Sequence, residues 1–446
     1  MKNPCEQIYY ERERFLVNLR KSKRQESNKN KRKLYGGKIK SDEFEIKILI
    51  DRALFHLETA ENLNQAPSFW QSLRALNTLD LIPNILDILT KSIQMKEKLL
   101  EPVYLELFAQ LCEKKEWSKL MLDKRVLELL CDLIGFGSKD EEILKIIIEV
   151  CENCPQAAEL LVELGIFELF ELVVQDNKQL AELCAYFMYR IILHSSETLP
   201  DVTFYVAVGI CEKFLGYRNT KIWIYHSVYF ITQRKNCEEL AQFLFDDLFQ
   251  DLNNRKNPDL LIKIVINLTA GPDFLVKTLL KHQLLDILYI YLTVYEIPIQ
   301  KDILIVLSNI AGGDTSSITS FICHKVYKKF IQFIDSPNYE LRYESSIVLK
   351  CLAMQASHIH FTAIPNKELF CALSSAVGKD FEVDRNLLHF LQNLLDCDNY
   401  FPETREMFIE SGCKDKVEKI SFKRDVIGLS AEKVLKNFDE YENLIF

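Results

Sequence analysis

A short apolar phrase recurs along the chain at intervals of about forty residues. Each copy spaces Leu, Ile, Val or Phe around one or two polar residues, as in residues 166–170 and 284–288. The nine copies begin at Leu81, Val126, Ile166, Ile210, Leu248, Leu284, Val326, Lys367 and Cys413. The starts lie 36 to 46 residues apart, with a mean of 41.5. Self-similarity at this period predicts an array of stacked structural units.

The residues between the phrases have the periodicity of amphipathic helices. Ile143, Ile146, Ile147 and Val150 fall at the i, i+3, i+4 and i+7 positions that place side chains on one face of a helix. Helical units with a period in the low forties are typical of armadillo or HEAT repeats. Because one unit cannot bury its own apolar face, we predict that the units stack into a right-handed superhelix with a long concave groove.

The first 43 residues follow a different pattern. Residues 22–30 contain no apolar side chain, Gly36 and Gly37 interrupt the chain, and Ser41 is a candidate helix cap. We therefore expect two parts, an arm over residues 1–43 and a solenoid over residues 44–440. Within the arm, a helix is expected from about Glu6 to Arg24.

The charge of the chain is divided unevenly between these two parts. Residues 1–40 contain 13 Lys or Arg and 4 Asp or Glu, a net charge of +9, whereas the remainder has a net charge of −18. An acidic body with a basic arm indicates a partner for basic peptides, or an arm that folds back on its own body. A body that binds nucleic acid would normally have the opposite sign, so we expect no nucleic-acid partner.

Other features exclude several classes of protein. The most apolar stretch, residues 287–295, is too short to cross a bilayer, so we expect no membrane insertion. Thirteen scattered cysteines are typical of a reduced cytosolic or nuclear protein. Cys151 and Cys154 lack the second pair that a zinc site needs, and His358 and His360 lack a third ligand. Nucleotide-binding, hydrolase and metalloprotease motifs are absent, so we expect no catalytic residues, no cofactor and no metal.

Several phrases in order resemble the importin-α family. Residues 17–26, which read VNLRKSKRQE, and residues 29–33, which read KNKRK, resemble the importin-β-binding arm of that family. Residues 267–271, NLTAG, and 309–313, NIAGG, resemble the family phrase that closes the groove helix. Residues 409–418 resemble the opening of its last repeat. The resemblance covers essentially the whole chain and favours about nine to ten armadillo repeats.

The resemblance implies a nuclear import adaptor that shuttles between cytoplasm and nucleus. It would hold basic nuclear localisation signals of cargo proteins in the groove, bind importin-β through the arm, and be retrieved by an export receptor. The implied groove residues are Lys263, Asn267, Gly271, Asp273, Asp302, Asn309, Glu344 and Asn393. The implied arm residues, for importin-β or for self-docking, are Arg20, Lys21, Lys23, Arg24, Lys31, Arg32 and Lys33.

The chain departs from the family at the ladder of Trp and Asn four residues apart on each groove helix. The matching pairs here are Lys145/Glu149, Tyr186/Arg190, His226/Phe230, Lys263/Asn267, Ile305/Asn309, Ile347/Cys351 and His389/Asn393. No tryptophan occupies any of these positions. Because each aromatic–cation contact contributes about 0.5–2 kcal/mol, the loss predicts weaker binding of the usual basic signals.

The later repeats keep more of the family pattern than the early ones. We therefore expect basic cargo, or the arm's own Lys31–Lys33, to dock mainly around Asn267, Asn309, Asp302 and Glu344. Three alternatives stay open at this point. In the first, Asn267 and Asn309 only cap helix ends, and Lys263 and Glu344 are solvated surface charges. In the second, the arm is a plain basic tail or is itself a localisation signal. In the third, the whole chain is a divergent armadillo scaffold for one dedicated partner.

Overall fold

The computed structural model describes residues 122, 124–134, 139–195, 201–217, 219–233, 238–396 and 402–445. Within these ranges the secondary structure is helical, with no strand. The arm, residues 1–43, and the first repeat phrase at Leu81 lie outside the described residues. By packing, the described helices form two units, one before residue 199 and one from residue 200 onward.

The described residues of the first unit form five α-helices. They are α1 (Lys124–Leu133), α2 (Asp140–Asn153), α3 (Gln156–Glu163), α4 (Ile166–Asp176) and α5 (Ala181–Ser195). A short 3₁₀ segment, Lys178–Leu180, precedes α5. Helix α5 packs against both α2 and α3. The four predicted apolar positions of α2, residues 143, 146, 147 and 150, are all buried, which confirms the predicted amphipathic helix.

The second unit contains sixteen α-helices in its described residues, and from α10 onward they follow one another in groups of three. The first four are α6 (Asp201–Leu215), α7 (Lys221–Ile231), α8 (Glu238–Asn253) and α9 (Pro258–Thr269). Next come α10 (Asp273–Lys281), α11 (Leu284–Val294), α12 (Ile297–Ala311), α13 (Thr315–Ile322), α14 (Lys325–Ile331) and α15 (Tyr339–Gln355). The last six are α16 (His358–Ala363), α17 (Lys367–Ala376), α18 (Phe381–Asp396), α19 (Pro402–Glu410), α20 (Cys413–Ser421) and α21 (Val426–Ile445).

Equivalent helices of successive groups pack side by side. The third helices α9, α12, α15, α18 and α21 form one row, in which each contacts the next. The second helices α11, α14, α17 and α20 form another row, and the first helices α10, α13 and α16 a further one. Eight of the nine predicted phrases begin within a described helix, four of them in the second helices α11, α14, α17 and α20 and the other four in α1, α4, α6 and α8. Three helices per unit at this period define an armadillo-type α-solenoid and confirm the predicted fold class.

The turn from first to second helix requires a left-handed backbone in three of the groups. Gly165, Gln283 and Gly412 occupy this turn with φ of 77°, 61° and 70°. Glycine adopts this conformation without steric cost, whereas a residue with a Cβ atom is strained there. The glycine of residues 409–418 is therefore explained by the turn between α19 and α20.

Apolar burial in the third helices forms the core of the second unit. In α12, Ile303, Leu304, Val306, Leu307 and Ile310 have no exposed surface. Each such side chain stabilises the fold by about 1.5–3 kcal/mol relative to an exposed one. At 100° per residue these five positions span about 160° of the helix circumference, because α12 packs against α9 on one side and α15 on the other.

Polar side chains tie the groups together at their edges. Arg342 of α15 donates to Asp380, just before α18, through Nη2 at 2.6 Å and Nε at 3.0 Å. Asp314 caps α13 by accepting from the backbone N–H of Ser317 at 3.0 Å, and it pairs with Lys277 Nζ of α10 at 2.7 Å. Burial alone would raise the pKa of Asp314, but the hydrogen bonds from Lys277 and Ser317 outweigh it and hold that pKa at about 2.

We expect the variant Asp314→Asn to reveal the pH range over which this carboxylate stabilises the fold. The variant keeps a capping acceptor but loses the charge, so wild type should exceed it by about 1 kcal/mol in free energy of unfolding above pH 4. Because the folded pKa is depressed from 3.8 to about 2, this advantage should disappear as the pH falls through that range. Urea unfolding at pH 7, 4, 3 and 2 measures the difference. The same pH dependence in the exposed-site control Asp415→Asn would contradict the assignment.

Candidate functional site

The candidate site is the solvent-facing side of α9, α12, α15, α18 and α21, here called the third-helix face. Equivalent residues recur on it once per helix. Ile305, Ile347 and His389 lie 42 residues apart and are half-buried, and Lys263 occupies the equivalent place on α9 and is exposed. Burial, with a smaller contribution from Lys350, lowers the pKa of His389. The predicted register of one face residue per repeat is therefore present in the structure.

Asn267 of α9 bonds to the preceding third helix. Its Nδ2 donates to the carbonyl oxygen of Tyr229 at 3.2 Å and to Thr232 Oγ1 at 2.9 Å. The side chain is 6% exposed. An amide nitrogen has two hydrogens, so both of them are used between α7 and α9.

Asn309 of α12 repeats this arrangement one helix later. Its Nδ2 donates to the carbonyl oxygen of Ile266 at 3.1 Å and to Thr269 Oγ1 at 3.0 Å. Its Oδ1 is buried and accepts no hydrogen bond. A buried carbonyl oxygen without a donor is costly, and because this atom has almost no exposed surface, a ligand lying on the face would not reach it.

In both cases an asparagine bonds a threonine of the preceding third helix, and we call this pattern the Asn–Thr ladder. The ladder ends after α12, for reasons visible in the sequence. The acceptor threonine lies two residues after the Asn position on the preceding helix, and after Asn309 that place is held by Ala311. Cys351 replaces the next asparagine. Asn393 of α18 instead donates to the carbonyl oxygen of His389 in its own helix at 2.8 Å. Sequence reasoning missed Thr232 and Thr269, although the threonine of NLTAG was a visible signal.

The two predicted carboxylates lie on neighbouring helices. Asp302 of α12 and Glu344 of α15 are half-buried and occupy the same register, 42 residues apart. Close to them, Lys301 Nζ of α12 pairs with Glu340 of α15 at 3.0 Å. The structure therefore brings Asp302, Glu344 and Asn309 to the same pair of helices, α12 and α15.

The structure gives Gly271 and Asp273 local packing and capping positions. A Cβ atom at Gly271 would lie 3.0 Å from the carbonyl oxygen of Leu268 and 3.2 Å from Leu275 Cδ1, closer than an ordinary contact. Glycine therefore permits the tight approach of α9 and α10. Asp273 is the first residue of α10, where a negative charge favours the helix N-terminus.

In the first unit, the equivalent face has a different chemistry. Tyr186 OH and Arg190 Nε of α5 both approach Glu152 of α2, and the Arg190–Glu152 distance is 3.4 Å. Burial and the hydrogen bond to Glu152 raise the pKa of Tyr186 to about 12. Arg190 holds the place of the family asparagine, so a guanidinium stands where a basic peptide would need an amide. Because the guanidinium is paired with Glu152, this part of the face has an ion pair in place of an amide.

The described residues contain neither a cluster of metal ligands nor a helix that could cross a membrane. In that part of the chain, no three His, Cys, Asp or Glu side chains are grouped so as to hold a metal ion. His360 is buried in α16, where its Nδ1 accepts from the backbone N–H of Ser357 at 2.9 Å. Across the same residues, none of the helices combines the length and the apolar character that a bilayer crossing requires.

Comparisons with known proteins support the fold. No family model matches the chain, and no curated protein matches it. The structure is similar to that of an engineered protein from a structural-genomics consortium, with a TM-score of 0.54 and 14% identity, covering 78% of this chain and 98% of that one. At this identity the likeness shows the fold alone.

Two weaker similarities are to armadillo designs. One is a computationally designed armadillo repeat protein for modular peptide recognition, with a TM-score of 0.45, 15% identity and coverage of 51% of this chain and 96% of that one. The other is a designed armadillo repeat protein with a TM-score of 0.41, 15% identity and coverage of 56% and 98%. Membership of the importin-α family is not shown by any of these comparisons.

We expect the two ladder asparagines to contribute to stability and Asn393 to contribute little. Asn267→Ala and Asn309→Ala each remove bonds between third helices and should lower the free energy of unfolding by about 1–2 kcal/mol. Asn393→Ala removes a bond within one helix and should cost less than about 0.5 kcal/mol. Chemical unfolding followed by circular dichroism measures all three. Equal effects at the three sites would argue against the ladder.

Proposed function

We propose that the protein is a binding scaffold that holds an extended basic segment of a partner protein across α12 and α15. The observation that carries the proposal is the shared register of Asp302 and Glu344 on these two packed helices. The carboxylates suit lysine and arginine head groups. Such binding involves no bond-making chemistry.

The narrower form of the proposal is a nuclear import adaptor that carries basic cargo between cytoplasm and nucleus. In this form the arm, residues 1–43, binds importin-β, and an export receptor returns the protein. The support is the order of phrases in the sequence, from the arm to residues 409–418. The groove roles of Lys263, Asn267, Gly271, Asp273 and Asn393 stay predictions.

A scaffold for one dedicated partner is the second candidate. It is favoured by the first unit, where Arg190 replaces the family asparagine and pairs with Glu152. This substitution puts an ion pair on that part of the chain in place of the family amide. The two candidates differ in whether importin-β is required.

We expect Asp302→Ala combined with Glu344→Ala to weaken binding of a lysine-rich peptide by at least fivefold at 50 mM salt. Removing two negative charges from one face lowers its attraction for lysine, and added salt should shrink the difference. Fluorescence anisotropy of a labelled peptide with the full chain measures the affinity. Glu368→Ala with Asp415→Ala, exposed carboxylates on the second helices α17 and α20, removes the same charge elsewhere. If both double variants bind like wild type, the proposed site is wrong.

A separate experiment addresses the arm. We expect the full chain to capture purified importin-β, and Lys21→Glu, Lys23→Glu and Arg24→Glu together to reduce that capture at least tenfold, because they invert the charge of the predicted contact. The peptide affinity of this triple variant provides the control for folding. Absence of capture by wild type, with peptide binding intact, would favour the dedicated scaffold.

A further inference from the structure

Four large apolar side chains stand at the same place on four successive third helices. Each is the first residue of its helix, and each is well exposed. They are Ile297, Tyr339, Phe381 and Val426, with 41%, 47%, 53% and 63% of their surface exposed. The spacing along the chain is 42, 42 and 45 residues. We call this set the apolar row.

The apolar row is continuous because the helices that bear it are neighbours. Helices α12, α15, α18 and α21 each contact the next, so their first residues follow one another along one edge of the third-helix face. Tyr343 widens the row at α15, where its ring stacks on Tyr339 with centroids 6.0 Å apart. Leu429, one turn after Val426, is 60% exposed. One exposed apolar residue is ordinary, but a contiguous patch marks an interaction surface.

Two ion pairs lie beside the middle of the apolar row. Lys301 Nζ lies 3.0 Å from Glu340, and Arg385 Nη2 lies 2.6 Å from Glu382. The charges next to Tyr339 and Phe381 are therefore balanced, and contact there favours uncharged, apolar side chains. At the two ends of the row, Glu296 and Asp425 are exposed carboxylates next to Ile297 and Val426.

The acidic positions form a second line on the same helices. Asp302 lies five residues after Ile297, and Glu344 lies five residues after Tyr339. At 1.5 Å and 100° per residue, the two lines are separated by about 7.5 Å along the helix axes and by about 140° around them, with Ile305 and Ile347 at angles between them. The next rung departs from this pattern, because Asn386 replaces the carboxylate and donates to Ser346 Oγ.

We propose that the ligand is an extended segment in which apolar residues alternate with lysine or arginine. Successive side chains of an extended chain point to opposite sides. In a segment that lies across the helices, every second side chain therefore points toward the apolar row, and the others point toward the acidic positions. The apolar residues meet the apolar row, and the basic residues meet Asp302 and Glu344. The inference rests on the proposed function and specifies the sequence pattern that the site recognises.

Three labelled peptides of nine residues test the pattern with the full chain. The first has lysine at odd positions and leucine at even positions, the second has serine in place of leucine, and the third has the composition of the first with its lysines and leucines in two blocks. We expect the alternating peptide to bind about tenfold more tightly than either of the others, as burial of about two leucine side chains against partly exposed partners allows.

Variants of the apolar row connect this preference to the structure. Tyr339→Ser with Phe381→Ser should abolish the advantage of the alternating peptide and leave the serine peptide unaffected. Both residues are exposed, so folding should be preserved. Phe274→Ser with Ile359→Ser removes two exposed apolar side chains from the first helices α10 and α16, 43% and 77% exposed, and should leave the advantage intact.

The outcomes separate this inference from the function on which it rests. Equal affinity for the three peptides, or an advantage that survives Tyr339→Ser with Phe381→Ser, overturns the alternating pattern. So does an advantage lost equally in the control variant. If the serine peptide still depends on Asp302 and Glu344 in those cases, the basic-peptide scaffold stands. If no peptide depends on them, the proposed function itself fails.

Discussion

Burial of apolar side chains between neighbouring third helices is the interaction on which the rest of the molecule depends. A single helix such as α12 cannot bury its own apolar surface. That surface is buried because α12 packs between α9 and α15. Each third helix of the second unit likewise has to be covered by its neighbours. This packing fixes the register of each helix against the next, and that register places equivalent residues in lines across the third-helix face.

The buried asparagines show how this packing changes the chemistry of the face. Asn267 and Asn309 use both amide hydrogens to bond the preceding helix, so the stack has already taken the donors that a peptide would otherwise meet. Within the described face, the buried Oδ1 of Asn309 is left without a donor. These two amides therefore have little capacity left for the main-chain carbonyl oxygens of a peptide, and contacts with its side chains would have more weight.

The features of the face are also unevenly distributed. The first unit presents Arg190 and Tyr186 around Glu152, whereas the second presents carboxylates on α12 and α15 with an apolar row beside them. A repeat scaffold can vary each rung independently, because a substitution at an exposed face residue leaves the shared core unchanged. The lack of tryptophan at the ladder positions is then compatible with a ligand held by other contacts.

The sequence by itself determined the helical solenoid, its period and the positions of the repeated phrases, because these follow from apolar spacing that any stacked arrangement must bury. It also identified Asp302, Glu344 and Asn309 as residues of equivalent rungs. Only the tertiary structure decided that Asn309 bonds Thr269 on another helix, that Glu152 pairs with Arg190, and that Ile297 and Tyr339 are exposed. Periodicity assigns a residue to a helix face, whereas burial and partners depend on which neighbouring helix covers that face.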